Sequence, residues 1–274
     1  MPEGDTIYRA ARTLHRALAG QPVIRFTSVF PALMHARVEG RTIDVVRSAG
    51  KHLLVEFSGD LVLRTHMRMN GSWHLYYRGD RWRRPRRDMR IVIETGSLEA
   101  VGFSIPVAEL IPRSKLPRHE VLASLGPDLL SDDFDEAEVL QRMRDMGEMP
   151  IADVLLNQRV VAGIGNVYKS EILFACRISP FAPAGQLDEP TLLALVTTAR
   201  RLLKSNTSES LAAMTTYTGF RKTTRRDDPS ERLWVYGRAR KPCRRCGTPV
   251  RMRRQGVHAR STYWCESCQP EETP

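Results

Sequence analysis

The sequence predicts an α+β chain in three parts: an antiparallel β-sandwich with a helix at its start, a helical domain, and a C-terminal four-cysteine hairpin. Three observations predict it. Residues 23–111 hold many short extended runs with no helix between them, the pattern of an antiparallel sandwich. Residues 135–205 instead carry apolar side chains at helical spacing. The tail from residue 241 is rich in arginine and holds four of the five cysteines. The predicted divisions are residues 1–125, a linker at 126–134, a helical domain at 135–240 and a hairpin at 241–270.

Taken in order, the first element is a helix. Ile7, Ala10, Ala11, Leu14 and Leu18 recur on one face, Arg9, Arg12 and Arg16 lie on others, and Asp5 is the predicted cap. Extended runs follow at residues 23–26, 42–46, 52–57, 61–65, 72–77, 90–95 and 98–103. The arginine-dense segment from Arg78 to Arg90 predicts a solvated hairpin loop, with DNA contact an open alternative. Near Leu125 a Gly-Pro pair and an acidic cluster predict the linker. Helices are predicted at 135–146, 150–157, 166–176 and 189–205. Gly163 and Gly165 allow a sharp turn between the second and third, and Asn166 begins the third. Free backbone N–H groups, the positive helix end and an Asn amide make a phosphate socket there. An ordinary turn between helices fits the same residues.

A formal charge of +11 and a pI near 9.8 favour polyanions, of which nucleic acid is the commonest in the cytosol. A basic protein without a specific partner has the same composition. No run of eighteen apolar residues occurs, so no membrane span is expected. Glu3 and Asp5 stand where a secretory signal would be basic, which predicts a cytosolic, reduced protein.

In that compartment the pattern C-x2-C-x18-C-x2-C at Cys243, Cys246, Cys265 and Cys268 predicts one structural Zn2+. Four thiolates fill a tetrahedral shell and leave no open position for chemistry. Nine Lys or Arg residues and one acid, Glu266, lie between Arg238 and Cys268, which suits a phosphate backbone. Zinc ribbons also bind proteins. Cys176, in an apolar stretch, is expected as a small buried side chain.

Pro2 follows Met1, and methionine before a small residue is normally removed. A free α-amino group has a pKa of about 7.7–8.0 against about 10.4 for lysine, so much more of it is neutral at pH 7. A secondary amine attacking a sugar carbon gives an iminium ion, an electron sink that drives elimination of phosphate. Glu3 stands beside it to move protons.

Four separated motifs now bear on family: M-P-E-G-D-T at the start, G-K-H-L-L from Gly50, G-I-G-N-V-Y-K-S-E from Gly163, and V-Y-G-R from Val235 leading into C-x-x-C-G-T and R-S-T-Y-W-C-x-x-C-Q. Together, nearly end to end, the chain resembles formamidopyrimidine-DNA glycosylase and endonuclease VIII, and its P-E-G-D-T start resembles the endonuclease VIII branch. The resemblance implies a bifunctional DNA glycosylase and abasic-site lyase of base excision repair, with a helix–two-turn–helix domain. It implies a monomer acting on double-stranded DNA with damaged bases or abasic sites, at the bacterial nucleoid, with oxidised pyrimidines preferred. Pro2 would form the Schiff base with C1′, and Glu3 would protonate the deoxyribose ring oxygen. Lys51 would be a proton donor or phosphate partner in β-elimination, Asn166 would hold the phosphate beside the lesion, and Arg260 would grip flanking phosphates and assist δ-elimination. The stretch H-M-R-M-N-G-S-W from His66 matches the loop that fills the gap left by an extruded base, with Met69 as wedge and Arg68 and Asn70 facing the orphaned partner.

Two positions depart from that pattern. The branch has Gln-Leu-Tyr where this chain has Arg68-Met69-Asn70, which opens the choice of opposite base. It has an arginine where this chain has Ser124, so a phosphate contact is either missing or supplied by another arginine, with Arg113 and Arg118 as candidates. Three other readings compete: an 8-oxoguanine-preferring enzyme of the same family, a catalytically silent binder of damaged DNA, and a zinc-ribbon transcription or ribosome factor. Borohydride trapping and strand nicking separate the enzyme from the last two.

Overall fold

The computed structural model describes residues 2–207, 221–224, 226 and 228–271. The described residues divide into two compact units, one holding those up to Ser124, the other Leu125–Asn206 with those from residue 221 onward.

The first unit is a sandwich of two four-stranded antiparallel sheets. Helix α1 (Gly4–Leu18) precedes it, and Ile7, Ala10, Ala11, Leu14 and Leu18 all point into the core. Asp5 is not the cap. Glu3 occupies that position with extended backbone, and Asp5 lies buried in the first turn, where a negative charge complements the helix N-terminus. One sheet runs β1 (Arg25–Ser28), β6 (Met89–Glu94), β7 (Leu98–Phe103), β5 (Ser72–Tyr77). The other runs β2 (Ile43–Ala49), β3 (His52–Phe57), β4 (Leu61–His66), β8 (Val107–Ile111). Trp73, Phe57, Leu53, Ile91 and Ile93 meet the α1 stripe between the layers. Burying each such side chain stabilises by about 1.5–3 kcal/mol, so this core is what fixes the N-terminus in place.

The first strand lies two residues later than its apolar pattern predicts, and β8 adds an eighth strand. Along β8 only Ile111 is buried, because it is an edge strand bracketed by Pro106 and Pro112. The short helix α2 (Glu120–Ala123) ends the unit.

The second unit holds α3 (Glu136–Arg144), α4 (Ile151–Leu156), α5 (Asn166–Cys176) and α6 (Glu189–Ser205), followed by the hairpin of β9 (Arg251–Gln255) and β10 (Arg260–Trp264). Asp135 and Asp188 cap α3 and α6 by accepting from Glu138 N and Thr191 N, each at 2.9 Å. Residues 125–134 are packed rather than loose: Leu129 and Leu130 are buried, and Gly126 N–H donates to Gln158 O at 2.8 Å. A side chain at Gly126 would put its Cβ 2.4 Å from Val160 O, so glycine is required by this close approach. Cys176 is only half-buried, its thiol 3.5 Å from Thr198 Oγ1.

Candidate active site and zinc finger

Pro2 is buried immediately before α1, and Glu3, fully buried, accepts at its carbonyl from Thr6 N (3.0 Å) and Ile7 N (3.1 Å). A cavity of about 690 Å³ opens beside them, with Pro2, Met69, Asn70, Ser72, Arg84 and Ser104 among its walls. Met69 and Asn70 come from the tight turn between β4 and β5. Gly71 N–H donates to Met67 O at 2.9 Å, Arg68 takes φ 45°, and its N–H donates to His66 Nδ1 at 3.0 Å. The turn buries Met67 at 1% exposure and leaves Met69 at 56%, which separates the core methionine from the protruding one.

Behind this turn lies a polar chain that no motif in the sequence announces. Arg83 N–H donates to Tyr76 Oη (3.1 Å), Tyr76 meets His74 Nδ1 (3.0 Å), and His74 Nε2 meets Ser72 Oγ (3.0 Å). Where the Tyr76 hydroxyl gives its proton to His74 Nδ1, the ring proton lies on Nε2 and points at Ser72 Oγ. Burial lowers the His74 pKa to about 4, with Arg84 and Arg83 adding to the effect. Arg84 joins through Asp88 (3.4 Å) and Ser104 (3.5 Å). The signal available was the S-x-H-x-Y alternation, which puts three polar groups on one face of β5.

Lys51 sits in the two-residue hairpin turn between β2 and β3, where Gly50 takes φ 57° and Ala49 pairs with His52. Next to it the His52 and His66 rings meet edge-on at 4.7 Å. Burial holds His52 down to about 2, helped by Arg64, and His66 down to about 4, helped by the Lys51 charge. Both rings are therefore neutral at pH 7. Of the two arginines considered in place of one at Ser124, Arg113 is engaged by Asp44 at 2.8 Å and Glu56 at 3.3 Å, while Arg118 is exposed.

In the second unit Asn166 opens α5 directly after Gly165, and Gln158 braces the turn by accepting from Gly163 N (3.1 Å) and donating to Ile164 O (3.0 Å). Asn166 is 6% exposed, and its Oδ1 is buried without a hydrogen-bond partner among the described residues. Further along α5, fully buried Glu171 accepts from Trp234 N (2.8 Å), Val235 N (2.9 Å) and Tyr236 N (2.9 Å), and from Thr223 Oγ1. Buried Lys169 donates to Ser261 O (3.0 Å) and Thr262 Oγ1 (2.8 Å), and Ser170 Oγ accepts from Tyr263 N (3.3 Å). These contacts hold the hairpin whose second strand starts at exposed Arg260. The motif from Gly163 contains Lys169 and Glu171 but gives them no structural role, because charged residues on a helix ordinarily face solvent.

The thiol sulfurs of Cys243, Cys246, Cys265 and Cys268 all lie within 4.8 Å of one another. Tetrahedral Zn–S bonds of about 2.3 Å set sulfur–sulfur separations of about 3.8 Å. Here Cys243–Cys268 is 4.0 Å and Cys246–Cys265 is 3.4 Å, so the cluster fits zinc.

Sandwich, helical unit and four-thiol hairpin together define a two-unit protein with a C-terminal zinc-finger-like hairpin. Residues 1–104 match the formamidopyrimidine-DNA glycosylase N-terminal domain, 125–217 its H2TH domain, and 240–270 the zinc finger found in FPG and IleRS. The chain belongs to the formamidopyrimidine-DNA glycosylase family and is a DNA glycosylase and abasic-site lyase of base excision repair. It is 39% identical to a probable endonuclease 8 2 of Streptomyces coelicolor, over 100% of this chain and 96% of that protein. It is 37% identical to the DNA-(apurinic or apyrimidinic site) lyase Nei2 of Mycolicibacterium smegmatis, over 98% and 99%. The fold matches that of Lactococcus lactis Fpg, solved in complex with an abasic site containing DNA, with TM-score 0.82 at 24% identity over 98% of this chain and 100% of that one. No helix among the described residues is long and apolar enough to cross a membrane.

Proposed function

We propose that Pro2 is the nucleophile and Glu3 the proton donor of a reaction that excises an oxidised base and then cuts the strand. The observation that carries this reading is the cavity beside Pro2, bordered by the protruding Met69–Asn70 turn. The Pro2 amine forms a bond to C1′ as the bond from C1′ to the base breaks, the base leaving with its electron pair and taking up the N–H proton that the amine gives up. Glu3 delivers a proton to the ring oxygen, the sugar opens, and the nitrogen lone pair completes the iminium. Loss of a C2′ proton then expels the 3′ phosphate, and a second elimination, assisted by Arg260, expels the 5′ phosphate. Lys51 serves the first elimination as proton donor or phosphate partner. Asn166 supports the phosphate beside the lesion, and its unpartnered buried amide oxygen suits this role because a half-turn of the amide exchanges oxygen for a donor NH2.

Met69 fills the vacated space in the duplex, and Arg68 and Asn70 face the orphaned base. Opening the stack costs a few kcal/mol, which the wedge partly offsets. The enzyme works as a monomer on double-stranded DNA in the bacterial cytoplasm, at the nucleoid, with one structural Zn2+ holding the hairpin. Oxidised pyrimidines are preferred, a reading supported by the P-E-G-D-T start and by relatives named endonuclease 8 2 at 38–39% identity.

Borohydride trapping tests the nucleophile: the wild-type chain is expected to give a covalent adduct with abasic DNA in which peptide mapping finds the sugar carbon on the Pro2 nitrogen. A sugar mapped to any other residue would place the amine elsewhere. Faster release of 8-oxoguanine than of thymine glycol would overturn the pyrimidine preference.

A further inference from the structure

The segment from Arg78 to Arg90 holds seven arginines and two aspartates, and it is a solvated loop anchored at Trp82 and Arg84. Exposure alternates along it: Arg81 and Arg83 face outward, while Trp82 and Arg84 are half-buried. Trp82 stands edge-on to Phe103 at 5.6 Å and donates its indole N–H to Glu99 Oε2 at 3.0 Å. Arg83 is tied by its backbone to Tyr76, and Arg84 turns inward to the Pro2 cavity. Past Pro85, the Arg86 guanidinium lies over the Trp82 ring at 5.2 Å.

Nearby acids neutralise little of this charge. Asp88 is taken by Arg84, Asp80 Oδ2 accepts from Tyr77 N at 3.3 Å, and Glu94 lies 3.9 Å from Arg78. Arg81, Arg83, Arg86 and Arg87 are exposed and have no carboxylate within ion-pair distance among the described residues. Holding four like charges on an anchored frame is unfavourable unless a polyanion neutralises them. The surface is concave, enclosing about 540 Å³ between Gly79 and Arg86. Guanidinium forks match phosphate oxygens two by two.

We propose that residues 78–90 form a second phosphate-binding surface, on which the DNA backbone continues past the Pro2 cavity, with Arg81, Arg83, Arg86 and Arg87 as its contacts. DNA is the partner because one loop supplies both Arg84 to the wall of that cavity and the four outward arginines beside it. The inference goes beyond the nucleophile assignment and rests on that reading only in taking the Pro2 cavity as the lesion site.

The test uses the full zinc-loaded chain and a 25-base-pair duplex carrying a tetrahydrofuran abasic analogue, which binds without being cleaved. Affinity is measured against KCl for the wild type and for a variant with Arg81, Arg83, Arg86 and Arg87 all changed to Gln. Each lost phosphate contact reduces the slope of log K against log salt by about 0.9, so a slope shallower by about 2–4 is expected, with at least about tenfold weaker binding near 0.1 M salt. Unchanged slope and affinity in a variant that melts within a few degrees of wild type would overturn the proposal. If the fourfold variant fails to fold, the pairs Arg81/Arg83 and Arg86/Arg87 are each expected to give part of the change, and no change in both pairs overturns it equally. Because the analogue does not react, failure of the Pro2 assignment would leave this measurement intact.

Discussion

Glu171 and Met69 show two ways in which single side chains carry this molecule. The Glu171 carboxylate gathers three consecutive backbone N–H groups at 234–236 and the Thr223 hydroxyl, so removing it strands buried donors. Glu171→Ala is expected to cost about 2–4 kcal/mol, and Glu171→Gln, which retains one acceptor, less; urea unfolding midpoints give both values. Met69 is exposed and carries the wedge role proposed above. Met69→Ala is expected to slow excision from duplex DNA several-fold while leaving cleavage of a single-stranded abasic site near wild type, because only the duplex has a stack to hold open. Equal losses on both substrates would remove the wedge role. The sequence put Met67 and Met69 in the same motif; the Gly71-to-Met67 turn decides which protrudes. It also placed the helix cap at Asp5, because acidic residues are good caps and the chain's covering of its own first turn has no local signal.

At the level of elements, legibility followed burial pattern. Helix α1 declared itself because one stripe is buried and the opposite face is wet. Strand β8 did not, since most of its residues are half-exposed. Helix α5 was placed correctly from its turn residues, but its polar side chains were not understood: residues 166–174 are all buried, including Asn166, Lys169 and Glu171. A charged residue enclosed by the later hairpin looks, in one dimension, like a charged residue in water. The hairpin itself was plain from cysteine spacing. Cys246→Ser is expected to lose the bound zinc, seen by metal analysis, and to weaken binding to abasic duplex by about tenfold or more as the arginines of β9 and β10 lose their frame. Normal affinity in a zinc-free variant would show that the finger needs no metal to serve DNA.

For the whole molecule, stability should depend on pH through three histidines, His52 and His74 buried and His66 half-buried. His52, His66 and His74 all have folded pKa values below 6.5, at about 2, 4 and 4, so the unfolded chain binds more protons than the folded one as pH falls below 6.5. Stability is therefore full above that pH and declines beneath it, by up to about 1.4 kcal/mol per pH unit for each ring. The melting temperature is expected to drop between pH 7 and pH 5, and His74→Gln to flatten the drop; a flat profile in the wild type would contradict the buried neutral rings.

One feature of α5 reaches further. Asn166 starts this helix, and within two turns Lys169, Ser170 and Glu171 fasten the segments on either side of the zinc cluster, including the strand that begins with Arg260. On the proposed roles, the two phosphate grips are thus mounted on a common ruler and keep a constant span. A duplex whose phosphates do not already match that span must curve to meet it, and smooth curvature over a short site costs on the order of 1–6 kcal/mol. Where a lesion has loosened the stack, the curve comes more cheaply, so the spacing itself would sort damaged from sound DNA before any base is read.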